Sequence, residues 1–227
     1  MAGLRGMVLR QPALTAFLVA IVVRLAVVAG SHLLNLWPLI PDEGGYVELA
    51  TLAVDGRVDE YCCGGYGQEL YASTKLFIWQ IQGLVALFGP LPWLLQMPAV
   101  LYGAAAAFLV TRITERFVPP HWALFAGLIV ALAPSAVLHS SVVLRESLVW
   151  VLILVAALLV IYFSEASTAR RLAGLAAGLL MVLVGLGWLR DQTAIVVAWS
   201  LIPVALLVRR QRRVRFGLAL VILVAGP

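Results

Sequence analysis

The stretch LFIWQIQGLVALFG, residues 76–89, decides the fold. If this stretch crosses the membrane, every later span has the opposite orientation and every later loop lies on the opposite side. It is 14 residues long, whereas a transmembrane helix needs about 20. It also carries Gln80 and Gln82, and the sequence GPLP at 89–92 separates it from the next apolar stretch. These features favour a helix that lies at a membrane surface.

The composition of the 227-residue chain is that of a membrane protein. Hydrophobic residues make up 63% and charged residues 12%, against roughly 45–50% and 25% in soluble globular proteins. So few polar groups could not cover the surface of a soluble protein, which excludes a soluble enzyme, a disordered protein and a disulfide scaffold. Lipid admits only helices and closed barrels, and the lengths of the apolar stretches favour helices. We therefore expect an all-α polytopic membrane protein.

The distribution of Lys and Arg indicates how residues 76–89 are placed, because cytoplasmic loops carry an excess of positive residues. With a cytoplasmic N-terminus and 76–89 lying flat, eleven basic residues fall inside and four outside, whereas a spanning 76–89 inverts these numbers. The eleven are Arg5, Arg10, Arg112, Arg116, Arg170, Arg171, Arg209, Arg210, Arg212, Arg213 and Arg215, and the four are Arg57, Lys75, Arg145 and Arg190. This bias predicts that 76–89 is an interfacial amphipathic helix.

The predicted topology is a multi-pass protein of the plasma membrane with seven transmembrane helices. The predicted spans are 14–30, 93–110, 122–144, 147–163, 172–189, 194–208 and 216–227. We expect one transmembrane module over residues 1–227, in which residues 31–92 form a large outer loop with interfacial helices. The stretch 216–227 has only twelve residues, so we expect an incomplete last helix in a fragment or first half of something larger.

The first candidate site lies in the outer loop, where Asp42 and Glu43 stand in the sequence PDEGGY, residues 41–46. Two neighbouring carboxylates at a membrane surface can bind a divalent cation, or one of them can accept a proton as a general base. Gly44 and Gly45 would let a ligand approach the backbone closely. The alternative is a polar turn in which Asp42 caps an interfacial helix.

Two Arg–acid pairs fall at helix junctions on the same outer face, Arg145-Glu146 and Arg190-Asp191. An arginine can bind a phosphate through its forked donors, and Glu146 can face the first loop as a second carboxylate. The alternative for each pair is an ion pair that marks a helix end. Lys75 could likewise neutralise a phosphate or extend to lipid headgroups.

The remaining polar residues indicate less chemistry. The net charge of +5 and the arginine run at 209–215 indicate lipid contacts rather than nucleic acid. Arg24, inside the first predicted span, is expected to extend outward to the headgroups. Cys62 and Cys63 are adjacent, which makes a disulfide between them strained, and the three histidines have no metal-ligand spacing.

Asp42-Glu43, then Tyr46, Ala50 and Gly56, resembles the Asp-Glu-x-x-Tyr…Ala…Gly pattern in the first outer loop of C-type (GT-C) membrane glycosyltransferases. The protein O-mannosyltransferase and lipid A aminoarabinose transferase group is the most similar. That group also has a Lys-Pro-Pro…Trp…Phe-Gly stretch after the loop, which Lys75, Trp79 and the Phe-Gly pair at 88–89 resemble, although the prolines are missing here. The acidic residue Glu146 stands where these enzymes have a second acidic site, although here an arginine precedes it.

The resemblance implies an inverting transfer of a sugar from a polyprenyl-phosphate donor to an acceptor on the outer face of the cell envelope. It implies catalytic roles for Asp42 and Glu43, with Asp42 as the base, and a substrate-loop role for Tyr46. Donor-phosphate binding would fall to Lys75, Arg145 and Arg190. Asp42 and Glu146 would be the ligands of a divalent cation, Mg²⁺ or Mn²⁺.

Two other functions stay open at the level of sequence. The chain could be a non-catalytic membrane subunit that pairs with a second membrane protein, or with a missing C-terminal half, through its unfinished last helix. It could also be a small transporter, although its ionisable residues gather at one face, whereas the substrate sites of transporters lie near the bilayer midplane.

Overall fold

The computed structural model describes residues 11–61 and 66–207, and the side chains of these residues up to Ser200. All regular elements in this part of the chain are helical, which confirms the predicted class. The α-helices are α1 (Pro12–Leu33), α2 (Pro41–Val54), α3 (Tyr66–Ser73), α4 (Lys75–Phe88), α5 (Pro92–Leu95), α6 (Met97–Thr114), α7 (Pro120–Leu132), α8 (Pro134–His139), α9 (Glu146–Glu165), α10 (Ala169–Gly187) and α11 (Asp191–Leu207). A short 3-10 turn, Val58–Glu60, follows α2.

Within residues 11–61 and 66–207, four helical stretches are long and apolar enough to cross a membrane, namely Pro12–Leu33, Pro92–Thr114, Glu146–Glu165 and Ala169–Gly187. They agree with four of the seven predicted spans. The predicted span 194–208 corresponds to α11, which has 17 residues. The predicted span 216–227, the arginine run at 209–215 and the Cys62-Cys63 pair lie outside the described residues.

The prediction of one continuous helix over 122–144 is wrong. Two helices, α7 and α8, take its place, and residues 140–145 that follow them are not helical. Pro134 causes the break, because its ring nitrogen has no proton for the carbonyl of Val130 and it disfavours helical geometry at the residue before it. Ala133 accordingly has φ −58° and ψ 122°.

Small side chains hold the first compact unit, which extends to Val151, together. The helices α1, α6 and α7 pack on one another through a core of fully buried alanines: Ala16, Ala20, Ala104, Ala107 and Ala131. Gly127 belongs to the same contact, since a Cβ there would collide with Ala16 and with the Thr111 hydroxyl. Small residues let helices approach closely, which is how apolar helices gain packing energy in lipid.

The predicted helix over residues 76–89 corresponds to α4 (Lys75–Phe88), and α4 packs against α2 of the outer loop. The buried face of α4 is apolar and consists of Phe77, Ile78, Ile81 and Val85. The Gln82 side chain lies at the other end of α2, where its Nε2 donates to the Ala53 carbonyl over 3.0 Å. That α4 lies flat at the membrane surface stays a prediction.

The second compact unit begins at Leu152 and contains the rest of α9 together with α10 and α11. The Thr168 hydroxyl caps α10 by accepting from the Arg171 amide over 3.4 Å. Leu179, Leu183 and Leu186 form the buried side of that helix. Helices α10 and α11 pack on each other, as expected of neighbours joined by a short turn.

Candidate functional site

Helix α2 presents the acidic pair of the outer loop. Ile40 is extended, Pro41 is the first helical residue, and Asp42 and Glu43 complete the first turn. The alternative in which Asp42 caps the helix is therefore wrong, because the cap position belongs to Ile40 and Asp42 stands inside the helix. Asp42 is exposed, whereas Glu43 is fully buried. Carboxylates in a first turn are favoured by the helix dipole.

Glu43 is the centre of a buried hydrogen-bond network. Its Oε1 accepts from Gln96 Nε2 over 2.6 Å and from the Val143 amide over 3.1 Å. Its Oε2 accepts from the Leu39 amide over 3.2 Å. Gln96 is also fully buried, and its Oε1 lies 3.0 Å from Nε2 of His32 near the end of α1. The carboxylate therefore joins the outer loop to three other parts of the first unit.

Tyr46 lies one turn after Asp42 and is buried, with its ring edge-to-face against Phe77 of α4 at 5.6 Å. Burial raises the pKa of Tyr46 to about 12, an increase that Arg145 opposes and that Glu146 and Asp42 reinforce. These charges act on the Tyr46 hydroxyl because they lie near it. Asp42, Arg145 and Glu146 therefore share an electrostatic influence on Tyr46. That they form one site stays a prediction.

The Arg145-Glu146 pair stands directly before and at the start of α9. The Arg145 carbonyl accepts from the amides of Leu148 and Val149, both over 3.1 Å, so Arg145 closes the first turn. Both side chains of the pair are half-buried. Oε2 of Glu146 is buried with no hydrogen-bond donor among the described residues, so it can accept from a ligand.

Gly45 lets the side chain of Tyr61 approach the backbone of α2 closely. A Cβ at Gly45 would lie 2.5 Å from the hydroxyl oxygen of Tyr61, whereas Gly44 has open space at the same position. The glycine therefore admits the Tyr61 side chain against the backbone of α2. A second tyrosine, Tyr66, lies near enough to Tyr46 to influence its pKa.

Lys75 begins α4 in the same unit. Its ammonium group lies 5.3 Å from the ring centroid of Trp79, a cation–π arrangement. Trp79 Nε1 donates to the Tyr71 hydroxyl over 2.9 Å. Trp79 is 45% exposed, so Lys75 and Trp79 together offer a cation and an aromatic surface at the start of the predicted interfacial helix.

Arg190 and Asp191 belong to the second unit. Both are exposed. The Arg190 amide donates to the Leu186 carbonyl over 2.7 Å, and Asp191 Oδ1 accepts from the Gln192 amide over 2.8 Å at the start of α11. The predicted role of Arg190 in binding a donor phosphate stays a prediction.

Arg24 corrects the sequence interpretation, which placed its side chain toward the headgroups. The guanidinium is fully buried. Its Nε donates to Ser140 Oγ over 2.6 Å, and its Nη1 donates to the Ala131 carbonyl over 3.1 Å. Its Nη2 lies 3.4 Å from the Val130 carbonyl, which Pro134 leaves without an amide partner. Arg24 thus donates hydrogen bonds to the carbonyls at the break between α7 and α8. Those carbonyls in turn compensate the buried positive charge, as a charge inside a membrane protein requires.

The predicted divalent-cation site has at most two carboxylate ligands from the described residues, Asp42 and Glu146. Among the residues that the structure describes, no group of three or more His, Cys, Asp or Glu side chains could hold a metal ion. Asp42 and Glu146 supply two carboxylates, and Mg²⁺ usually binds through one or two carboxylates together with substrate phosphates. The divalent cation therefore stays a prediction.

Sequence reasoning missed Gln96, His32 and Ser140, the neutral partners of the buried charges. Gln96 carried a signal, since it is a single polar residue between the apolar pairs Leu94-Leu95 and Met97-Pro98. Ser140 carried none, because serine is tolerated in helices that cross membranes and bonds readily to its own backbone.

Comparison of the chain with known protein families, with curated proteins and with solved structures finds no match.

Proposed function

We propose that this chain is a membrane glycosyltransferase, or its donor-binding module, which transfers a sugar from a polyprenyl phosphate to an outer-face acceptor with inversion. One observation carries the proposal: Asp42 of α2 and the Arg145-Glu146 pair at the start of α9 act electrostatically on the buried hydroxyl of Tyr46. This group combines an exposed carboxylate, a cation and a hydroxyl. A polyprenyl tail would lie in the bilayer, which would leave its phosphate at headgroup level.

In the proposed reaction, Asp42 accepts the proton of the acceptor hydroxyl as that oxygen attacks the anomeric carbon. The bond from the anomeric carbon to the phosphate oxygen breaks, and the phosphate leaves with the electron pair. The leaving group needs stabilised charge rather than a proton, and Arg145 is a cation whose charge acts on the Tyr46 hydroxyl. Tyr46 is neutral at physiological pH, so its hydroxyl can donate to a phosphate or sugar oxygen.

Lys75 and Arg190 remain further candidates for the donor phosphate, as the resemblance implies. Lys75 stands on Trp79, and aromatic rings commonly support sugar rings or lipid headgroups at membrane interfaces. A Mg²⁺ or Mn²⁺ ion held by Asp42 and Glu146 would supply additional positive charge at the leaving group.

A calorimetric titration of the purified full chain with a short-chain polyprenyl phosphate tests the proposal. We expect saturable binding that Arg145→Gln weakens by about 10- to 150-fold, since a hydrogen bond to a charged group is worth about 1.5–3 kcal/mol. The exposed Arg190 should contribute less, at most about fivefold for Arg190→Gln. Arg57→Gln is the matched control, because Arg57 is exposed and pairs with Glu60.

The corresponding polyprenyl alcohol separates the phosphate from the tail in the same experiment. We expect it to bind more weakly than the phosphate and to be insensitive to Arg145→Gln. Absence of saturable polyprenyl-phosphate binding in folded wild-type protein would refute the donor-site proposal and favour the membrane-subunit function. Equal affinity for alcohol and phosphate would show that the tail alone supplies the binding.

A further inference from the structure

Residues 140–145, between α8 and α9, form an irregular segment inside the protein. Ser140, Ser141, Val142 and Val143 are completely buried, and Leu144 is 5% exposed. Irregular backbone at membrane depth is tolerated only where it is buried in protein, since its amides and carbonyls need partners there. The segment leads directly into Arg145 and Glu146.

Arg24 holds the beginning of this segment. Its Nε bond to Ser140 is the short contact of 2.6 Å, and Ser140 Oγ in turn lies 2.5 Å from the Ala136 carbonyl of α8. The same guanidinium binds the end of α7 through the Ala131 carbonyl. Gly103 of α6 makes room for this arrangement, since a Cβ there would collide with Arg24 Nε and with Ser140.

Glu43 holds the segment three residues further on. Its Oε1 accepts from the Val143 amide at 3.1 Å and from Gln96 at 2.6 Å. The amide and the glutamine are both neutral, and a buried carboxylate is tolerated only when such donors satisfy it. Removal of one partner in a buried charged network leaves the other groups without compensation.

Two buried charged side chains of opposite sign, Arg24 and Glu43, therefore bind the two ends of residues 140–143. The Arg145-Glu146 pair follows shortly after this stretch. We propose that Arg24 and Glu43 are positioning residues that act through residues 140–143 to place Arg145 and Glu146 at the start of α9. The consequence for sugar transfer rests on the proposed function, whereas the placement itself does not.

This proposal separates Glu43 from Asp42 within the acidic pair. The resemblance implies a catalytic role for both, but Glu43 is buried and engaged by three donors, whereas Asp42 is exposed. Asp42 is then the proton acceptor, and Glu43 acts on the reaction only through the segment that it holds.

Cysteine labelling tests the placement without any activity. In a Cys62→Ser/Cys63→Ser background, Val142→Cys reports on the segment, and Leu179→Cys, also fully buried, reports on the second unit. N-ethylmaleimide should label both slowly in purified protein. With Arg24→Met or Glu43→Ala added, labelling at 142 should become at least about tenfold faster while labelling at 179 stays slow, because only local structure opens.

Glu43→Gln distinguishes positioning from catalysis. Its amide oxygen can still accept from Gln96 and Val143, and only the bond from the Leu39 amide is lost. This variant should therefore keep position 142 protected and keep most donor binding and transfer. A catalytic carboxylate would lose its activity equally in Glu43→Gln and Glu43→Ala. If Glu43→Ala also increases labelling at position 179, that variant unfolds more than the local segment. Glu43→Asp is then used in its place, because aspartate keeps the charge but is one methylene too short to reach Val143.

Continued protection of position 142 in Arg24→Met and in both Glu43→Ala and Glu43→Asp would overturn the proposal. Loss of transfer in Glu43→Gln with position 142 still protected would also overturn it, by making Glu43 a catalytic residue. If position 142 opens as expected but the wild type binds no polyprenyl phosphate, the positioning stands and only the proposed function fails.

Discussion

The two Arg–acid junctions, Arg145-Glu146 and Arg190-Asp191, are alike in sequence and different in structure. At the first, both side chains are half-buried and influence the pKa of the buried Tyr46 in opposite directions. At the second, both side chains are exposed. A charged pair at a helix junction therefore does not define a site by itself, because what surrounds the pair decides whether it can hold a ligand away from water.

The segments before the two pairs explain the difference. The first pair follows residues 140–144, an irregular buried segment that Arg24 and Glu43 hold from two sides. The second pair follows the end of α10, where the amides of Trp188 and Arg190 donate to carbonyls of that same helix and Trp188 is 49% exposed. Long-range bonds place the first pair, whereas local helix geometry places the second.

The largest expected effect separates the two exposed aspartates, Asp42 and Asp191. We expect Asp42→Asn to lower sugar transfer by about 10²–10⁴-fold, the usual contribution of a positioned base. The unfolding temperature should not change, because the substitution is near-isosteric and exposed. The measurement is release of sugar from a panel of polyprenyl-phosphate sugars, scored on those that the wild type turns over.

Asp191→Asn is the matched control, since Asp191 is also an exposed aspartate in the first turn of a helix. It should leave transfer within about twofold of the wild type, since exposed surface substitutions have small effects. Full activity in Asp42→Asn would remove Asp42 from the mechanism. Equal losses in the two variants would show that the junctions are functionally equivalent, against this account.

A smaller effect compares two glycines in helices of the two units. Gly103→Ala should destabilise the protein by about 1–3 kcal/mol, because its Cβ would push against Arg24 and Ser140 in a closely packed site. Gly174 has open space at the same position, so Gly174→Ala should be neutral or stabilise by about 0.5–1 kcal/mol. Thermal unfolding of the purified variants measures both, and equal stability would contradict the packing described around Arg24.

Much of the architecture is predictable from composition and charge. The apolar lengths predicted α1, α6, α9 and α10, and the short stretch 76–89 is a helix with one buried apolar face, as its pattern indicated. The first acidic pair and Glu146 were predicted to share a face, and two of these three carboxylates, Asp42 and Glu146, influence the pKa of Tyr46. The shared face itself stays a prediction. These features depend on local hydrophobicity and on chain order, which a single sequence contains.

The buried charges were not predictable in the same way. The side chain of an arginine inside an apolar stretch is most simply placed toward the headgroups, and only the break at Pro134 creates carbonyls that can hold Arg24 inside. Proline in the stretch 122–144 was visible, but the partner that its break would recruit lies 110 residues away in sequence. The different roles of Asp42 and Glu43 likewise depend on which side of α2 is covered, and that is decided by Gln96 and Val143.

The most direct test of the account is the reactivity of the residue that follows each Arg–acid pair. Ser147 is completely buried and Gln192 is exposed. In a background without Cys62 and Cys63, we expect N-ethylmaleimide to label Ser147→Cys at least about tenfold more slowly than Gln192→Cys, which should react like a free thiol. Equal labelling rates in folded protein would contradict a first junction that buried charges hold away from water and a second junction that is an exposed helix turn.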